Sequence, residues 1–136
     1  MKRNATAIWR GTISEGSGNL TTQSEILRNT KYSYKSRFEN EPGTNPEELI
    51  AAAHAGCFTM ALTFALTNAG FTADELQTRC DVTIENNTIN KSELNVTAKV
   101  PGVTLEKFKE IATDAKANCP VSKLFNCEIT MSASLA

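Results

Sequence analysis

Two cysteines, one histidine and one arginine offer this chain its most specific chemistry. Cys57 lies within the apolar stretch GTNPEELIAAAHAGCFTMALTFALTNAG, and His54, the only histidine, precedes it by one helical turn on the same face. Cys119 directly precedes Pro120, as the cap of a new helical turn would, and backbone N–H groups at such a position favour a thiolate. A thiol inside a core helix and another at a helix start form a redox pair if the fold brings them together. Their distance along the chain decides nothing, because a disulfide needs only spatial approach. Arg37 reads either as a solvated edge arginine or as a guanidinium delivered to the centre of the fold. Cys57 with His54 also permits a cysteine hydrolase, nucleophile beside base. A helix interior lacks the exposed elbow and oxyanion hole which that reaction needs. Cys80 and Cys127 begin alternating strands and read as structural, Cys127 as core filler. No two cysteines have C-x-x-C spacing, so neither a structural zinc nor another cofactor is expected.

These residues must be positioned by regular elements. Asn45 can cap a helix, Pro46 suits its first position, and Glu47 and Glu48 complement its positive end. No charged residue follows until Asp74, so the helix is expected to be buried on nearly every face, with Gly70 as its C-terminal cap. It is long enough to cross a bilayer. However, His54, Asn68 and three threonines interrupt it, and no basic flank or aromatic belt marks its ends, so a soluble core helix is expected. Residues 5–13 read as a strand, 31–38 as a strand or strand pair, and 20–29 as an irregular connection. Residues 79–85 and 93–100 read as a hairpin, with Leu94, Val96, Ala98 and Val100 on one face. An amphipathic helix is expected over 105–117, a helical turn at VSKLF, and a last strand over 127–135. The order predicts an α+β fold, a mostly antiparallel sheet packed on a long buried central helix.

The 136 residues carry a net charge of −1 and are expected to form one domain, 1–136. Such a balance argues against nucleic acid and an anionic membrane as partners. The opening residues MKRNATAIWRGT have no apolar core of a secretory signal, so a reducing cytoplasm is the expected compartment.

The segment GTNPEELIAAAHAGCFTMAL, with NCPVSKLF and the upstream SRFE, closely resembles the OsmC/Ohr family of thiol-dependent peroxidases over nearly the whole chain. AAHAGCF is more similar to the OsmC branch than to the Ohr form, which lacks this histidine. The resemblance implies that Cys57 is peroxidatic and Cys119 resolving, that Arg37 is the active-site arginine and that Glu47 is its carboxylate partner. It further implies an intertwined homodimer with active sites at the subunit interface, an organic hydroperoxide substrate, and a dithiol reductant, whether small, lipoylated or thioredoxin-like. Cys80 and Cys127 lie outside the family's motif.

Those implied roles are chemically coherent. Burial alone raises a thiol pKa, whereas a guanidinium within about 4–6 Å lowers it. Arg37 can also stabilise the departing alkoxide. Cys119 would capture the Cys57 sulfenic acid before further oxidation. Phe58 and Met60 are candidates for an apolar lining that favours organic hydroperoxides. Glu47 and Cys57 lie about 15 Å apart along one helix, so a composite site drawing on two chains is expected. The competing reading is a non-catalytic hydroperoxide sensor or lipid-binding module using the same thiol pocket.

Overall fold

The computed structural model describes residues 1–136, which divide into two compact units, Met1–Leu49 and Ile50–Ala136. In the first, β1 (Ala5–Arg10), β2 (Ser17–Thr22) and β3 (Thr30–Tyr32) form an antiparallel sheet in that order. The expected first strand is therefore shorter, and β2 takes part of the segment expected to be irregular. Gly18 is required at its place in β2: a Cβ there would come within 2.5 Å of the Tyr32 ring and 2.6 Å of the Ile8 carbonyl oxygen. Its absence lets Trp9 and Tyr32 meet edge to face, with ring centroids 5.6 Å apart.

The expected strand over 31–38 breaks after Tyr32 and becomes the short helix α1 (Tyr34–Phe38). Ser33 and Ser36 cause the break. Ser33 accepts from the Ser36 N–H at 3.1 Å, while Ser36 Oγ accepts from the Ser33 N–H at 2.7 Å, a reciprocal cap. The aromatic alternation that mimicked a strand includes a four-residue step, and Tyr34 and Phe38 pack at 5.0 Å on one helical side.

Helix α2 spans Pro46–Asn68. Asn45 Oδ1 accepts from the Glu48 N–H at 2.7 Å, as its capping role requires. In the second unit this helix buries His54, Phe58, Leu62 and Leu66, a stripe at every fourth position. Burial on nearly every face is not observed: Met60 and Phe64 are 76 % and 70 % exposed, beside exposed Ala52, Ala53 and Gly56. The sequence contains enough apolar residues for two faces, and this chain covers one. By length and composition α2 could also cross a membrane, but its covered stripe is part of a protein core.

Opposite that stripe is the sheet β4 (Glu75–Glu85), β5 (Thr88–Lys99) and β6 (Glu128–Leu135), in that order. The β4–β5 hairpin turns tightly at Asn86 and Asn87, both with positive φ (51° and 59°), the backbone a two-residue hairpin turn needs. Leu94, Val96 and Ala98 alternate into the core as predicted, with Val100 following the strand. Helix α3 (Leu105–Asn118) adds Phe108, Ile111, Ala112 and Ala115 to the same cluster. After α4 (Pro120–Leu124), β6 joins the edge of β5 in parallel, because the intervening helices return the chain in the same direction. The fold is α+β, with two three-stranded sheets rather than one; three of the four strand pairings are antiparallel.

Candidate active site

The four predicted site residues fall into two pairs, one in each unit. In the first unit α1 presents Arg37, whose Nε donates to Glu47 Oε1 at 2.8 Å, with Nη2 also 2.8 Å from that oxygen in the ion pair. Ser36 fixes the helix that carries Arg37, since its hydroxyl also lies 3.0 Å from the Thr44 carbonyl oxygen. Glu47 is buried at the start of α2, and its other oxygen, Oε2, has no hydrogen-bond partner. The Arg37 guanidinium lies 5.0 Å from the centre of the Phe38 ring. It helps line a cavity of about 200 Å³ with Trp9, Ile13, Tyr32, Tyr34 and Phe38. Phe58 is fully buried in the second unit's core, and Met60 faces outward on α2.

In the second unit Cys57 is half-buried on α2 and Cys119 fully buried where α3 gives way to α4. Their side chains are neighbours. Burial pushes the Cys57 thiol up, the Val121 N–H draws it partly back, and the adjacent Cys119 side chain pushes it up again. Cys119 caps α4 as predicted: its Sγ accepts from the Ser122 N–H at 3.3 Å and lies 3.2 Å from Ser122 Oγ.

His54 does not use its ring to engage Cys57. It is fully buried, with Nδ1 2.7 Å from Ser92 Oγ and Nε2 2.8 Å from Ser122 Oγ. The Phe125 ring stands edge-on to the imidazole at 4.7 Å between centroids. Ser92 Oγ is also 3.2 Å from Cys80 Sγ. Burial holds His54 below its ordinary range and pushes Cys80 up, so both prefer the neutral form. Cys127 is half-buried before β6 beside Ile89, Leu124 and Phe125 at a surface groove, rather than deep in the core.

Sequence reasoning missed Ser92 and Ser122. A signal for Ser92 was present: it occupies the buried parity of Leu94, Val96 and Ala98, where a polar side chain requires a partner. Ser122 follows Cys119 by one helical turn inside NCPVSKLF, at the spacing of a cap and its contact. The aromatic lining around Arg37 was hidden because residues of β1, β3 and α1 combine to form it.

This is an α+β protein with two adjacent reduced thiols in one unit and an arginine–carboxylate pair in the other. Residues 38–134 match the family of OsmC-like proteins. The chain is 44 % identical over 133 residues to peroxiredoxin OsmC of Escherichia coli, covering 95 % of this chain and 93 % of the relative. It is 32 % identical over 116 residues to the organic hydroperoxide resistance protein OhrB of Bacillus subtilis, covering 78 % and 79 % respectively. The crystal structure of an OsmC-like protein from Mycoplasma pneumoniae superposes with a TM-score of 0.75 at 14 % identity, covering 100 % of this chain and 98 % of that one. The chain belongs to the OsmC family.

Proposed function

We propose that this protein is a thiol-dependent peroxidase that reduces organic hydroperoxides to alcohols, with residues 1–136 acting as one OsmC-like domain. The Cys57 thiolate attacks the peroxide oxygen, the O–O bond breaks, and the alkoxide takes up a proton. Cys57 becomes a sulfenic acid. Cys119 then displaces the sulfenic oxygen as water, giving the Cys57–Cys119 disulfide, and a dithiol reductant returns both sulfurs to thiols. The observation carrying this reading is the adjacency of Cys57 and Cys119. Its support from relatives is the names peroxiredoxin and organic hydroperoxide resistance protein.

Arg37 is proposed to meet Cys57 in a homodimer, one chain's guanidinium serving the other chain's thiol, while Glu47 orients it. Two observations favour a composite site. Burial raises the Cys57 thiol, so it needs a cation to become a nucleophile. The exposed apolar face of α2, with Met60 and Phe64, also offers a surface for a second copy. The aromatic cavity beside Arg37 suits the carbon portion of an organic hydroperoxide. The proposed setting is the cytoplasm, where a dithiol donor can act.

The test is turnover of cumene hydroperoxide with dithiothreitol, compared with hydrogen peroxide. The expected result is repeated turnover with a higher kcat/KM for the organic peroxide. Consumption of one equivalent followed by arrest would instead identify a sensor.

A further inference from the structure

A continuous polar chain crosses the apolar core of the second unit. It runs from Cys119 through Ser122, His54 and Ser92 to Cys80, with successive separations of 3.2, 2.8, 2.7 and 3.2 Å. An imidazole with no solvent exposure is costly in a core unless both nitrogens are satisfied, and two serine hydroxyls satisfy them. Packing alone does not require both hydroxyls to continue to sulfur atoms. A neutral imidazole has one N–H and one lone pair, so it gives the chain a direction. With Nδ1 protonated, His54 donates to Ser92 and Ser92 donates to Cys80. Nε2 then accepts from Ser122, leaving Ser122 Oγ to accept from the Cys119 thiol.

We propose that Ser122 is the catalytic hydroxyl of disulfide closure and that His54 is the positioning residue behind it, receiving the Cys119 proton through Ser122. This proposal rests on Cys57 and Cys119 being the peroxidatic and resolving thiols. As Cys119 attacks the Cys57 sulfenic acid, its proton moves to Ser122 Oγ while the Ser122 proton moves to His54 Nε2. The Cys119 sulfur contributes the electron pair of the new S–S bond. The Cys57 S–O bond breaks, its electron pair leaving with the oxygen. The proton on His54 then returns through Ser122 to the departing hydroxide, and water is the product. The Cys119 sulfur is oxidised, the sulfenic sulfur is reduced, and the hydroperoxide that made the sulfenic acid is the ultimate oxidant. A charged imidazole is disfavoured at this buried position, so the proton resides there only during closure. In this tautomer Ser92 Oγ accepts from His54 Nδ1 at 2.7 Å.

Rapid mixing of the reduced full chain with one equivalent of cumene hydroperoxide separates the steps. Dimedone trapping reports the Cys57 sulfenic acid, and non-reducing mass spectrometry reports the disulfide. In Ser122→Ala the ratio of closure rate to sulfenic-acid formation rate is expected to fall at least roughly a hundredfold, the low side of the effect of a positioned acid–base group. Ser122→Thr, which restores the hydroxyl, is expected to recover it. The native closure step is expected to slow in heavy water, and His54→Gln, which keeps hydrogen bonding but cannot carry the proton, is expected to lose that dependence. An unchanged ratio in Ser122→Ala, including equal slowing of both steps, would overturn the proposal while leaving the two-cysteine reading intact. A native protein that never forms the Cys57–Cys119 disulfide would overturn both.

Discussion

Arg37 engages Glu47 through one carboxylate oxygen and leaves the other buried without a partner. Such a group costs about 1–3 kcal/mol unless another donor reaches it. A second guanidinium hydrogen bond to Oε2 would answer that deficit and convert the pair to a bidentate one. In the proposed site Arg37 also counters the burial that raises Cys57. Arg37→Ala is therefore expected to move the pH dependence of Cys57 alkylation upward and to lower kcat/KM for cumene hydroperoxide at least roughly tenfold. An alkylation profile unchanged across pH would contradict that role. Arg37 and Glu47 could be singled out by resemblance, but their contact depends on a loop and a helix start whose approach no local spacing reveals.

Helix α1 supports this chemistry through its reciprocal serine cap. Ser36→Ala removes the buried hydroxyl contacts to the Ser33 N–H and the Thr44 carbonyl. It is expected to lower stability by about 1–2 kcal/mol in a denaturant titration. The stripe on α2 contributes a different dependence through His54. Its folded-state pKa is held below the unfolded value by burial. Its contribution to stability is therefore present above about pH 6.5 and is lost as pH falls from there through the folded value. Thermal melts should show a smaller loss in His54→Gln than in the native chain between about pH 7 and pH 5; equal losses would contradict this linkage. The regular elements were largely legible because Leu94, Val96 and Ala98 have a strand's period, and Leu105 to Ala117 has a helix's. The strand expected over 31–38 failed because Tyr34 and Phe38 also have helical spacing, and the Ser33–Ser36 cap decided between them. The parallel placement of β6 was not legible, since its alternation specifies a face but not a neighbour.

For the whole molecule, the proposed homodimer explains why α2 contains more apolar surface than this chain covers. Phe64→Glu places a charge on its exposed face and is expected to shift the proposed dimer toward monomer in light scattering, with a concentration-dependent loss of turnover. A native monomer that retains full turnover on dilution would contradict the composite site. Sequence motifs could indicate both thiols, whereas their closeness required the fold to return α4 to the stripe on α2. That closeness carries the functional account. Its most direct measurement is non-reducing peptide mapping of the reduced protein after one equivalent of cumene hydroperoxide. The account predicts a Cys57–Cys119 cross-linked peptide as the main product. Preferential pairing of Cys57 with Cys80 or Cys127, or unchanged thiols at both Cys57 and Cys119 after peroxide consumption, would contradict it.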